Sequence, residues 1–389
     1  MSELAKILRE EIVALFTLHK RGTAMLFFIP LLYTLLFGGL FAKNAVNEVP
    51  VAVSDLDGSA ESRSLIRAFD DADALSILLV GSPEETKAAF RRGEVAAYVV
   101  IPQDFSERLL SASPVSVEAV VNNANTVLGS TAMNGVQAVV GTLSAERAAA
   151  NRMARGIPSE AAAAMAAPVQ LSLRSLYNST GGYNDFFTSV LIVHALQIAA
   201  VFTVAPMASI ERRYRRRNVP AFLRLPICAF LLSVLLTVSM LLSVLVGVSL
   251  FDMACRAALA PLSFLIFCFA FAMAAFALAV GAWVKSPTAT ISYTLFYIMP
   301  SVLFTGAVWP RFSMDAFSRL LSWVMPIGYA AIDLRELLVR GGAPTYGSDC
   351  ATLFGVGCLF LTVSVLGYIK KEMSCHDRHL GTGTFDSLG

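Results

Sequence analysis

The densest run of charge in this chain is Glu211-Arg-Arg-Tyr-Arg-Arg-Arg217, directly after a long apolar stretch, and its chemistry is recognition. Glu211, Arg212, Arg213 and Arg215 can sit on anionic lipid as a topology determinant, or dock in an acidic groove of a soluble partner. A second candidate is Leu4–Leu18. There Leu4, Ile7, Leu8, Glu11, Leu15 and Leu18 recur at helical spacing beside Lys6, Arg9, Lys20 and Arg21, the pattern of an amphipathic interfacial helix. The third group is the main set of polar exceptions in apolar stretches: His194 with Gln197, and Tyr293 with Tyr297. A lone histidine on a transmembrane helix is more often an interhelical hydrogen-bond partner than a proton relay.

No catalytic residue is expected. There is no G-x-x-x-x-G-K followed by Ser or Thr, no dinucleotide fingerprint, no H-E-x-x-H and no C-x-x-C-H. The six cysteines are scattered without metal spacing, so no metal site is expected and buried apolar packing is the reading for them. A net charge of only +2 argues against nucleic acid as a partner. The chain is therefore read as no enzyme. If it moves something uphill, the energy comes from an ion gradient or from another polypeptide. Apolar stretches almost devoid of Asp, Glu, Lys and Arg argue against ion coupling.

The elements that carry these residues follow from where charge is missing. Hydrophobic residues make up 56% and charged ones 15%, a balance foreign to soluble domains of 389 residues. Six apolar stretches read as membrane helices: Gly22–Phe41, Phe186–Ser209, Phe222–Leu250, Leu259–Val284, Thr288–Trp309 and Thr352–Ile369. The first is too long for a signal sequence, contains Pro30 and lacks a cleavage pattern. Lys and Arg of the short loops fall on one side: before span one, between two and three (Arg224 included), Lys285, and Lys370, Lys371 and Arg378. Both termini are thus expected in the cytoplasm. Asp315, Asp333, Glu336 and Asp349 offset the arginines between spans five and six, where a re-entrant element is possible near 317–329.

The fold class expected is an α-helical polytopic membrane protein with six transmembrane helices and an inserted extracytoplasmic α/β domain. Its parts are a cytoplasmic amphipathic helix (1–21), span one (22–41), the outer domain with a helical arm (42–185), spans two to six (186–369) and a cytoplasmic tail (370–389). Within the outer part, Val49–Val53, Ala74–Val80, Val95–Ile101 and Val115–Val121 read as strands of a mixed sheet. Ser59 caps a helix through Phe69, and Ser82-Pro-Glu-Glu85 opens another with a capping box. A further short helix runs from Asp104 to Leu110. From about Thr126 the pattern is helical until Gly156-Ile-Pro158 breaks it. No histidine and no paired carboxylates beyond Asp55 and Asp57 occur there, so docking is favoured over catalysis.

Several stretches together resemble the permease subunits of ABC-2 type exporters, in the branch with a long periplasmic insertion. They are Val51-Ala-Val-Ser-Asp-Leu-Asp-Gly58 with Ser64-Leu-Ile-Arg-Ala-Phe69, and Gly93-Glu-Val-Ala-Ala-Tyr-Val-Val-Ile-Pro102 with Asp104-Phe105. Met299-Pro300, Thr305-Gly306, Trp309-Pro310 and Met325-Pro326 complete the set. The likeness runs over nearly the whole chain, with one departure: Asn218-Val-Pro220 stands where the family has a Gly-Thr pair and then an acidic residue. The resemblance implies a permease in the bacterial inner membrane that exports hydrophobic or amphiphilic cargo. It implies no cofactor in this chain, ATP and Mg being bound by a cytoplasmic ABC ATPase subunit. It also implies a second permease as homodimer or heterodimer partner, a periplasmic adaptor (membrane fusion) protein and membrane lipid. Glu211, Arg212, Arg213, Arg215, Leu8 and Leu15 would then couple to the ATPase, and His194, Gln197, Tyr293 and Tyr297 would line the substrate path or dimer interface. Small residues of span two (Ala195, Ala199, Ala200, Ala205) and span five (Ser292, Gly306) would allow close approach at that interface. An ion-coupled secondary transporter and a membrane-anchored receptor are the rivals.

Overall fold

A computed structural model describes residues 3–17, 20–43, 46–111, 113–166, 182–209, 220–284 and 286–382. Two compact units emerge, Ala45–Ser175 and the remainder, Met1–Asn44 with Leu176–Gly389.

In the first unit, β1 (Val49–Asp55), β2 (Leu75–Val80), β3 (Ala97–Ile101) and β4 (Glu118–Val121) form one sheet in the order β2-β1-β3-β4. β1 runs parallel to β2 and to β3, and β4 closes the edge antiparallel to β3. The crossovers are α3 (Ala60–Asp70) and α4 (Pro83–Arg92), and α5 (Phe105–Leu110) precedes β4. Val49, Val51, Val53 and Val99 meet Leu65 and Phe69 of α3 on one face, with Val136 of the long helix α6 (Thr126–Ala154). On the other face Ala52 packs on Ala89 of α4. A helix on each face is why the central strands are apolar on both sides. α7 (Ser159–Ala166) follows the break at 155–158.

The helix starts are set locally. Ser59 Oγ accepts from Ser62 N at 3.0 Å. At Ser82 both halves of a capping box are present, and Gly93 ends α4 in the left-handed region (φ 75°). The Ser82 backbone amide, donating to Glu85, holds that carboxyl below its ordinary range. This contribution is complete above the ordinary carboxylate pKa and is lost as pH falls through the depressed value. Ser82→Ala is expected to lower the unfolding free energy of this unit by about 1 kcal/mol, read by chemical denaturation.

The second unit is helical. α1 (Glu3–Thr17) and α2 (Lys20–Leu40) lead in. After the other unit, a π-helical turn (Asn184–Thr188) opens α8 (Ser189–Ser209), followed by α9 (Ala221–Phe251) and α10 (Leu259–Trp283). α11 (Pro287–Ser301), α12 (Ala316–Val324), α13 (Ile327–Arg340) and α14 (Tyr346–Thr382) complete it. Among the described residues five helices are long and apolar enough to cross a membrane: Lys20–Leu40, Asn184–Pro206, Phe222–Phe251, Leu259–Trp283 and Tyr346–Lys370. The expected span at Thr288–Trp309 differs. Its regular helix is α11, 15 residues ending at Ser301 just past Pro300, and turns and bends follow to Trp309. The stretch 317–329 forms two short helices broken at Met325-Pro326.

α8 is the hub. It packs on α2, α9, α10, α11 and α13, and nearly all its side chains from Ser189 to Ala205 are buried. The π turn is pinned by Asn184 Nδ2 donating to Phe251 O at 2.7 Å and by Asp185 Oδ1 accepting from Ala254 N at 2.9 Å.

Candidate functional site

The four charged candidates Glu211, Arg212, Arg213 and Arg215 lie outside the described residues. They are flanked by α8, which ends at Ser209, and α9, which begins at Ala221. In the first turn of α9 stands Arg224, the sole charge in a helix of 31 residues. Its guanidinium meets the carboxylate of Glu11 on α1. Nε donates to Oε1 at 2.7 Å, and Nη2 donates to the same oxygen. The two side chains are 3% and 5% exposed, so this is a buried pair and not a surface contact. Arg224, read from sequence as a loop charge, is thus part of the packed unit.

The pair fastens α1 to the helix that begins where the arginine-rich segment ends. On the rest of α1, Leu8, Ile12, Val13 and Phe16 are exposed. Leu15 is placed by its backbone alone, about two turns on from Leu8. An apolar strip facing outward while one carboxylate faces inward inverts the ordinary surface helix, and such a strip belongs against lipid or another protein.

The second group divides. His194 and Gln197 are buried among the chain's own helices. The Ser301 hydroxyl lies 3.2 Å from Gln197 Oε1 and 2.5 Å from the Ile298 carbonyl, so its single proton is shared and α11 is stitched to α8. His194 and Gln197 stand three residues apart on α8, and His194 Nδ1 and Gln197 Nε2 have no hydrogen-bond partner among the described residues. Tyr297 is half-buried, its ring 5.0 Å from that of Phe276 on α10. Tyr293 points away, 66% exposed, in a strip with Phe296, Met299 and Leu303. The structure brings His194 and Gln197 together and leaves Tyr293 apart from them.

The alanines of span two need a different role from the one expected of them. Ala195, Ala199, Ala200 and Ala205 have no exposed surface within the chain itself. Small side chains there let α8 sit close to its own neighbours, while Tyr293, Phe296 and Met299 of α11, and Leu303 just past its end, face outward.

Sequence reasoning missed the Glu11–Arg224 pairing. The signal was present on both sides: a glutamate on the apolar spacing of an amphipathic helix, and one arginine inside an apolar run. A charge on a buried face requires an opposite charge. Among the described residues no group of three His, Cys, Asp or Glu could hold a metal ion.

The sequence model described as ABC-2 family transporter protein matches residues 20–369. A relative in Escherichia coli K12, the probable multidrug ABC transporter permease YbhR, is 20% identical over 343 residues, covering 86% of this chain and 89% of the relative. The protein of the same name from Escherichia coli O157:H7 matches equally. With the family match spanning all of the apolar helices up to Ile369, the chain belongs to the ABC-2 family of transporter proteins, as a membrane-spanning permease.

Proposed function

We propose that this chain is the transmembrane subunit of an ATP-driven exporter that moves hydrophobic or amphiphilic cargo out of the cytoplasm or the inner membrane. The family implies an ATPase partner and a permease dimer. The carrying observation is the buried Glu11–Arg224 pair, because it gives a push on α1 a rigid route into a long membrane helix. Closure of two ATPases would press α1 and the Glu211–Arg217 segment, and the pair would pass that displacement to α9. Rigid-body gating of this kind needs a bistable interface. The exposed strip of Tyr293, Phe296, Met299 and Leu303 is the surface we assign to it.

In this reading α11 with 302–309 completes a sixth crossing, both termini are cytoplasmic and the α/β unit is periplasmic. That unit would guide cargo or recruit an adaptor protein. The near absence of charge along the helices suits an apolar path. The decisive experiment is reconstitution. Cargo should enter vesicles only with the ATPase subunit and ATP, and movement without the ATPase would overturn the reading. Glu211→Lys reverses the first charge of the coupling segment. It is expected to weaken copurification with the ATPase several-fold, and unchanged binding and transport would remove that contact.

A further inference from the structure

Among the described residues of the helical unit, two carboxylates are buried. Glu11 faces Arg224; Asp333, on α13, has no exposed surface and no ion pair among the described residues. Its Oδ1 accepts from the Thr345 hydroxyl at 3.1 Å, and its Oδ2 has no hydrogen-bond partner. Thr345 directly precedes α14, and the next residue, Tyr346, donates its hydroxyl to Pro261 O at the start of α10. One turn further along α13, Leu338 O accepts from Arg256 N in the loop between α9 and α10. Asp333 therefore lies level with the ends of the long helices and outside the spanning segments.

Among the described residues no cation is paired with this carboxyl. From α14 come Tyr346, Asp349 and Cys350, and from α10 Cys268. α8 offers His194 as its sole titratable group, and the π turn offers Asp185, which is committed to Ala254 N. On α13 itself Arg335 donates to Ala307 O and lies 4.9 Å from the Phe186 ring, while Arg340 is bridged to Glu336. Burial above all, and then Asp349, push the Asp333 pKa up to about 6, against the Thr345 hydrogen bond. An isolated carboxylate in such a place is expensive, and holding a proton is the cheaper state.

We propose that Asp333 is a proton-binding site that latches the hairpin helix α13 to the entry of α14: protonated it stays docked, and ionised it draws toward water and frees the contact. The sign follows from linkage. A carboxyl whose folded pKa is raised favours the docked state below its unfolded value. That advantage is lost as pH climbs to about 6, above which the balance is flat. The latch rests on the geometry alone. Only the side from which protons reach it rests on the orientation proposed above.

Hydrogen–deuterium exchange of the full chain in nanodiscs, both faces exposed to buffer, tests the latch without ATPase or cargo, so its failure leaves the transport reading untouched. Between about pH 5 and about pH 8, corrected for intrinsic exchange, residues 327–346 are expected to lose protection several-fold, with a midpoint near 6. Asp333→Asn, neutral at every pH, should stay protected throughout. Thr345→Val removes the bond that favours the carboxylate and should move the midpoint upward. A corrected exchange rate that ignores pH in the wild type overturns the proposal, as does an Asp333→Asn protein that follows the wild type. Should Asp333→Asn fail to fold, an unmoved midpoint in Thr345→Val overturns it equally.

Discussion

Cutting either half of the Glu11–Arg224 pair is expected to destabilise the join of α1 to α9 by about 3–5 kcal/mol and to bring ATP-dependent transport close to background. Glu11→Ala takes from the buried guanidinium the carboxylate it faces, and Arg224→Ala takes from the buried carboxylate its arginine. The cost in each case is chiefly that of the stranded charge, and not the worth of the bond. The double variant Glu11→Leu with Arg224→Met separates the two roles. Apolar side chains of similar size recover most of the stability that the single changes lose. They hold the helices together through packing, without the fixed direction of two charge-assisted hydrogen bonds. Thermal unfolding should thus return toward the wild-type midpoint while ATPase activity and transport stay uncoupled. Single variants that melt like the wild type would show that α1 is not fastened there at all. A double variant with full transport would reduce the pair to a replaceable clip.

How far such features can be read from sequence depends on how far apart the partners lie. The Ser82–Glu85 box and the Ser59 cap span three residues, and both are formed as their local pattern implies. The strands at 49–55, 75–80, 97–101 and 118–121 likewise follow short apolar runs bounded by turn residues. Glu11 and Arg224 are 213 positions apart, and no periodicity names such a partner. By sequence Asp333 is one of four acidic residues that offset the arginines between spans five and six. Only the fold reveals that residue 333 turns inward while Glu336 pairs with Arg340 at the surface. The alanines of α8 show the same limit. A run of small residues states that something comes close, and not whether it belongs to this chain or to a second copy. The helix of span five falls short of its apolar stretch because Pro300 and Gly306 end regular structure where hydropathy alone sees continuity.

Gly306 belongs to a cluster whose loss has the second-largest expected effect. Between α11 and α12 the chain is organised by Arg311. Nε donates to Ser322 Oγ at 2.8 Å, and the guanidinium carbon sits 5.4 Å from the Trp323 ring centre and 5.2 Å from that of Tyr329. Tyr329 in turn donates its hydroxyl to Trp323 O at 2.8 Å. Two glycines make room for this side chain. Gly306 adopts φ 79°, and a Cβ there would stand 2.8 Å from Arg311 Cγ; at Gly328 a Cβ would stand 2.7 Å from Nη2 and 3.0 Å from Thr305 O. Arg311→Ala strands the fully buried Ser322 hydroxyl and removes a cation from two ring faces at once. Charge-assisted hydrogen bonds contribute about 1.5–3 kcal/mol, and cation–π contacts about 0.5–2 kcal/mol each. The terms overlap, and a net loss of about 2–4 kcal/mol is expected. Arg311→Lys should recover less than half of it, since a point charge cannot face both rings and reach Ser322 together. The measurement is thermal unfolding followed through Trp323 emission, in a background where Trp283→Phe and Trp309→Phe silence the other two tryptophans. In the alanine variant the emission should shift before global unfolding, because the hairpin loosens ahead of the helices behind it. An unchanged midpoint together with an unchanged emission would mean that α12 and α13 are held by apolar packing alone, with the arginine a passenger between two rings.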